Sequence, residues 1–197
     1  MAKIYRAIST GLNNRTLVEK DKVIQELYKL YAENPKSDYY TSVYEYTEKD
    51  KEQFDKTKSL SGFTNLKTDR IIFDFDSKTD ITKAKDDAIN LINKLIKNKI
   101  PENSIQIFSS GNKGFHVEIK SDRLLSKNEV DTFVKTMGEG FNTLDASIYD
   151  YQRIIRAPLS KNLKGGAYKT PLTFDELKNS DIDTIKDISK TSYNAMI

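Results

Sequence analysis

The sequence predicts an α+β fold, a mixed β-sheet core flanked by helices. Two observations carry this. Short apolar runs with a period of two recur at residues 71–76, 105–108 and 115–119, and amphipathic helical stripes lie between and beyond them. The 197 residues are enough to bury a real core, with 37% hydrophobic and 31% charged residues, a globular rather than a disordered balance.

The elements follow in order. An apolar run at residues 4–8 opens the chain, and Val23, Ile24, Leu27, Tyr28, Leu30 and Tyr31 then recur at helical spacing. Alternation over residues 38–46 predicts one strand, and the charged segment 48–58 reads as a loop or an exposed helix. This first stretch makes an N-terminal α/β part. Ile71-Ile72-Phe73-Asp74-Phe75-Asp76 is a buried strand that runs out into acids at a sheet edge. A helix follows with Ile81, Ala84, Ala88, Leu91, Ile92, Leu95 and Ile96 on one stripe, ended by Pro101. Strands at 105–108 and 115–119 are joined by Ser109-Ser110-Gly111-Asn112-Lys113-Gly114, whose small residues allow a tight connection. Ser126 and Glu129 have capping-box spacing ahead of Val130, Phe133, Val134 and Met137, and Thr173 and Glu176 repeat that spacing before a last short helix. Residues 144–172 read as irregular.

No repeat or low-complexity linker divides the chain. It reads as one domain over 1–197, with an N-terminal part (1–64), a motif-bearing core (65–175) and a C-terminal tail (176–197). The absence of cysteine excludes disulfides and thiolate zinc sites and suits a reducing cytosol. No apolar run approaches a membrane span, and the first six residues lack the apolar core of a signal peptide. The net charge of +3 is too small to indicate a polyanionic partner, so the placement of charge must decide.

Asp74 and Asp76 lie two apart on a strand, so both point to one face, about 7 Å apart. Carboxylates so placed suit hard cations that also hold phosphate oxygens, although strand ends with solvent-facing acids are common. The single histidine, His116, shares a strand face with Glu118 and Lys120, opposite Phe115, Val117 and Ile119. It follows a loop whose backbone N–H groups, with the Ser110 and Lys113 side chains, could cradle a triphosphate; the bland reading is a plain hairpin turn. The loop is not a P-loop, because no Gly-Lys-Ser/Thr follows. Between Tyr151 and Phe174 stand five basic residues (Arg153, Arg156, Lys161, Lys164, Lys169) and no acid. That strip suits phosphate binding, and its interleaved Ile154, Ile155, Pro158 and Leu159 imply that it folds down onto the domain.

In this order the motifs resemble the archaeo-eukaryotic primase superfamily. Its D-x-D matches Asp74-Phe75-Asp76, its S-G-x-x-G-x-H matches Ser110 to His116, and its third acid matches Asp145. The trailing R-x-x-R-x-P-x-S-x-N and G-x-Y-K-x-P-L patterns, at 153–162 and 166–172, look most like phage and plasmid primase-polymerases. The resemblance covers about residues 65–175. It implies a primase-polymerase fold with an RRM-like half, and a template-dependent nucleotidyltransferase that adds nucleotides to a 3′-hydroxyl. Asp74, Asp76 and Asp145 would hold two Mg²⁺ or Mn²⁺ ions. Ser110, Lys113 and His116 would grip the nucleotide phosphates, with His116 near its titration point and strengthening that contact when protonated. Arg156, Ser160, Lys164 and Lys169 would complete the nucleotide or template contacts. Asp150 rivals Asp145 as the third acid, and Tyr149 and Tyr168 are candidates for the sugar. The implied partners are a single-stranded DNA template with its primer, NTP or dNTP substrates, and a helicase or accessory primase domain, in the cytoplasm of a host and without a membrane. Two readings compete: a haloacid-dehalogenase-like phosphatase, whose nucleophile loop Phe73-Asp74-Phe75-Asp76-Ser77 imitates, and a non-catalytic module that binds single-stranded nucleic acid.

Overall fold

The computed structural model describes residues 3–190. Two antiparallel sheets carry the chain, and the segments that join them explain the placement of the site. In the first sheet, β1 (Ile4–Thr10) and β2 (Asn14–Glu19) form a hairpin, and β1 then pairs on its other edge with β3 (Tyr39–Ser42) and β4 (Tyr46–Thr47). Helix α1 (Val23–Glu33) lays Val23, Leu27 and Tyr31 against Ile8 and Tyr39. Helix α2 (Glu48–Thr57) settles the 48–58 segment as a helix, started by a capping box between Thr47 and Asp50.

The single strand expected over residues 38–46 is two short strands. Ser42 breaks it: its hydroxyl takes the Ala7 N–H at 3.0 Å and donates to the Tyr44 carbonyl at 2.7 Å. The freed residues cross to the second sheet, where Glu45 N–H reaches the Lys67 carbonyl at 2.8 Å and the Thr68 hydroxyl reaches the Val43 carbonyl at 2.8 Å.

The second sheet has the order β5 (Lys67–Asp76), β7 (Gly114–Ser126), β6 (Ile105–Ser109) and β9 (Thr170–Leu172). A mixed sheet was the expectation, yet each of its pairings is antiparallel. The cause is topological. Helix α3 (Ile81–Lys97) carries the chain from β5 to β6, which run parallel, but the β6–β7 hairpin inserts β7 between them. A phosphatase of the haloacid-dehalogenase type needs a parallel, Rossmann-like sheet, so this arrangement excludes that reading.

One face of the second sheet is apolar. Ile71, Phe73 and Phe75 of β5, with Phe115, Val117 and Ile119 of β7, pack under α3 and α4 (Lys127–Gly138). Phe73 meets Phe133 edge-on at 6.3 Å, and Phe75 meets Phe141 at 5.9 Å. α3 buries Ala84, Ala88, Leu91, Ile92 and Leu95, the stripe read from the sequence. The opposite face carries Arg70, Asp74, Asp76, His116 and Glu118 toward the first sheet, where Arg70 donates to the Ser42 carbonyl at 2.6 Å.

The stretch 144–172 is not irregular throughout. It contains a 3-10 turn (Ala146–Tyr149), β8 (Ile154–Arg156) paired with β3, and β9 paired with β6, so the chain returns to the first sheet before it closes the second. Helices α5 (Phe174–Asn179) and α6 (Ile182–Ile188) follow; the last seven residues of the expected 176–197 tail lie outside the described residues. Among the described residues no helix is long and apolar enough to cross a membrane.

Candidate active site

Between the two sheets lies a cleft of about 190 Å³. One wall comes from the second sheet and the segment beside it, with Asp74, Asp76, His116, Ser110 and Asp145. The other comes from the first sheet and the strip that rejoins it, with Tyr40, Arg153, Ile155 and Arg156.

Strand register builds the acidic wall. Asp74 lies opposite His116 and Asp76 opposite Gly114, while His116 lies opposite Phe108 on its other side. Side chains in such a row share a face, so period two on three strands brings Asp74 and His116 together. His116 Nε2 is 3.4 Å from Asp74 Oδ1, and Lys113 Nζ is 3.1 Å from Asp76 Oδ2. Gly114 is required where it stands: a Cβ there would lie 1.8 Å from the Phe75 carbonyl oxygen and 2.7 Å from Asp76 Oδ1.

Asp145 arrives by a different route. Its N–H donates to the Asp74 carbonyl at 2.8 Å, and Leu144 bridges to Phe75, so residues 143–145 extend the free edge of β5 for a few residues. Asp145 then caps the 3-10 turn, with Oδ1 accepting from Ser147 N–H at 2.8 Å. Arg153 clamps the same turn through the Ser147 hydroxyl and carbonyl at 2.8 and 3.0 Å. Asp150 does not line the cleft; its side chain accepts from Gln152 N–H.

The charges in this cleft are unbalanced. Burial, then repulsion from Asp76 and Asp145, pushes the Asp74 carboxyl up to about 7. Burial, then the nearby Lys169 cation, holds the His116 imidazole well below its ordinary value. His116 is only 6% exposed and its Nδ1 has no hydrogen-bond partner among the described residues. Burial and the Lys169 cation both act against the protonated imidazole expected to strengthen a phosphate contact.

Four basic-strip residues part company. Arg156 faces the cleft, its guanidinium carbon 4.8 Å from the Tyr40 ring centroid, and donates to the Tyr40 hydroxyl at 2.9 Å and the Lys161 carbonyl at 2.6 Å. Lys169 is fully buried, donates to Glu118 Oε1 at 2.5 Å and the Arg156 carbonyl at 3.0 Å, and lies 4.4 Å from the Phe108 ring. Ser160, expected to touch nucleotide, is 1% exposed and accepts the Tyr39 N–H at 2.6 Å. Lys164 is exposed on the turn after Asn162 and does not line the cleft. Tyr149 and Tyr168 are both buried and do not line it either, so neither is placed to meet a sugar.

The sequence reading missed Tyr40 and gave no role to Asn162. Asn162 Oδ1 accepts from Lys164 and Gly165 N–H while its Nδ2 reaches the Ser110 carbonyl at 3.4 Å, tying the basic strip to the Ser110 loop. Asn ahead of Lys-Gly-Gly is the available sequence signal for that turn. Nothing local marks Tyr40, which reaches the cleft only through the pairing of β3 with β8.

Among the described residues no three His, Cys, Asp or Glu side chains close into a metal cage. Mg²⁺ and Mn²⁺ do not need one: they are commonly bound by one or two carboxylates, water and substrate phosphate oxygens. Three acids lining one cleft, with the most buried of them driven toward protonation, fit such an open cation site.

No protein-family model matches the chain, and no curated protein matches it. Solved structures do. The chain is similar to the polymerase domain of Mycobacterium tuberculosis ligase D, solved in complex with DNA, at 14% identity and a TM-score of 0.58. The match covers 88% of this chain and spans 64% of the length of that one. It is also similar to the AEP domain of the cyanophage S-2L primase-polymerase, at 10% identity and a TM-score of 0.48, over 95% of this chain and 89% of that one. With the ligase D polymerase domain the chain shares its fold, an α+β arrangement of two antiparallel sheets flanked by helices.

Proposed function

We propose that this chain is the catalytic core of a primase-polymerase of the archaeo-eukaryotic superfamily, a template-dependent nucleotidyltransferase. The observation that carries the proposal is the cleft in which Asp74, Asp76 and Asp145 face Arg153 and Arg156 across a gap lined by Ser110 and His116. A purely nucleic-acid-binding groove gains nothing from three acids turned toward a polyanion, whereas a nucleotidyl-transfer site needs them for its cations.

The reaction is attack by a 3′-hydroxyl on the α-phosphate of an incoming nucleotide, with pyrophosphate leaving. Bound Mg²⁺ or Mn²⁺ ions supply charge neutralisation at the reacting phosphate and lower the pKa of the attacking hydroxyl. Asp74, Asp76 and Asp145 are the residues that would hold them. Lys113 and Arg156 offer cations to the phosphates. The Ser110 hydroxyl and the N–H groups of Asn112 and Lys113 offer neutral donors, the N–H groups of Ser110, Gly111 and Gly114 being bonded within the hairpin, and His116 orients Asp74 from the facing strand. Arg156 and Tyr40, whose guanidinium carbon and ring centroid are 4.8 Å apart, offer a cation and an aromatic ring against which a base or a template nucleotide can lie. Template and primer are single-stranded DNA with an annealed 3′ end. The biological setting is replication of a phage or plasmid in a host cytoplasm, with a helicase or accessory primase domain as partner. Extension is the core's own activity.

The test is primer extension on a DNA template with dNTPs and Mn²⁺, beside a phosphatase substrate and a DNA-binding assay. Wild type extends; Asp74→Asn loses several kcal/mol of charge stabilisation, on the order of 10²–10³-fold in rate. DNA binding with no extension under any metal would leave the non-catalytic module as the correct reading.

A further inference from the structure

The third acid is the one whose place depends least on strand register and most on outside support. β5 is the edge strand of its sheet. Its outer N–H and C=O groups would be bare without cover. Residues 143–145 cover part of that edge: Asp76 N–H donates to the Thr143 carbonyl at 2.8 Å, and Asp145 N–H donates to the Asp74 carbonyl at 2.8 Å. The chain then turns away into the 3-10 turn, and the next outward pair, at Ile72, meets no backbone from it. A phenol takes the place of the missing strand. The Tyr149 hydroxyl accepts from Ile72 N–H at 2.9 Å and donates to the Ile72 carbonyl. Tyr149 is 3% exposed, and the Tyr44 hydroxyl holds its carbonyl at 3.1 Å.

The other end of the segment is held as firmly. Asp87 Oδ2, from α3, accepts both the Thr143 hydroxyl at 2.7 Å and the Thr143 N–H at 3.1 Å. Asp145 hangs between these two anchors, two residues from one and four from the other. Neither Tyr149 nor Asp87 lines the cleft.

We infer that Tyr149 and Asp87 are positioning residues for Asp145: the Tyr149–Ile72 hydrogen bonds and the Asp87–Thr143 clamp set the distance of the third acid from Asp74 and so the affinity of the cation site. The inference rests on the proposed cation role of Asp145. Without the Tyr149 hydroxyl, Ile72 N–H and C=O lose their partner and the 3-10 turn loses its contact with the edge of β5. The motif residues Ser110 to His116 are untouched, because they sit on the far side of β5.

The experiment is a Mn²⁺ titration of the full chain followed by water-proton relaxation, with primer extension measured across Mn²⁺ concentration in parallel. Wild type, Asp145→Asn, Tyr149→Phe and Asp87→Ala are compared. The expected result is Mn²⁺ binding weakened several-fold in Tyr149→Phe and Asp87→Ala, in the direction of Asp145→Asn, with extension restored toward wild type at high Mn²⁺. Asp87 is half-exposed on its helix, so Asp87→Ala keeps the test alive should Tyr149→Phe fail to fold. Wild-type Mn²⁺ affinity in the folded positioning variants, while Asp145→Asn binds weakly, overturns the inference alone. Unchanged binding in Asp145→Asn removes the cation role of Asp145 and the inference with it.

Discussion

Replacing Glu118 by Gln removes one charge and almost no volume from beneath the cleft. Glu118 is 5% exposed, with Oε1 on Lys169 Nζ at 2.5 Å and Oε2 on Arg70 Nη1 at 3.4 Å. Burial alone would raise its carboxyl, but Lys169 and Arg70 outweigh burial and hold it at about 2 against an ordinary 4.5. Burial lowers the Lys169 ammonium despite Glu118, so the cost is taken from the pair as a whole: breaking a buried ion pair from one side costs about 3–5 kcal/mol. In a chain of this size 1 kcal/mol moves the melting temperature by about 2–4 °C, so Glu118→Gln should melt roughly 6–20 °C below wild type at pH 7. The sign with pH follows from the lowered folded-state value. The contribution is complete above about 4.5 and disappears as pH falls toward about 2, so the gap between the two proteins should narrow across that window. Differential scanning calorimetry at pH 7 and at stepped acid pH reads both effects. A melting temperature within 2 °C of wild type at pH 7 would refute the reasoning, since it would mean that Lys169 and Arg70 need no buried counter-charge.

Two further substitutions separate the site from its scaffold. Gly114→Ala drives a Cβ into the Phe75 carbonyl and the Asp76 carboxylate, so it should cost about 1–3 kcal/mol and depress primer extension more than its melting temperature explains. Wild-type extension from that variant would show that Asp76 tolerates displacement. Ser126→Ala removes the hydroxyl half of the capping box on α4 and should cost about 1 kcal/mol, a melting shift of about 2–4 °C, with extension unchanged.

Local pattern determined much of this protein. Period two over residues 71–76 and 115–119 put Asp74, Asp76 and His116 on polar faces, because a strand alternates its side chains whatever the surroundings. The helical stripe of α3 and the boxes at Ser126 and Thr173 were equally local, since each needs only residues within a few positions. Long-range pairing decided the rest. No periodicity announces that β7 slips between β5 and β6, that Ser42 ends a strand by capturing Ala7, or that β8 returns to β3 and delivers Arg156 beside Tyr40. Lys169 and Ser160 read as ligand contacts because polar residues in a basic strip are usually exposed. Burial reverses that reading when a partner waits inside, and the partners, Glu118 for the one and Tyr39 N–H for the other, lie more than fifty residues away. Asp145 shows both sides. Its motif marks it in the sequence, but its distance from Asp74 is set by the edge of β5, because hydrogen bonds between distant segments exist only once the chain has folded.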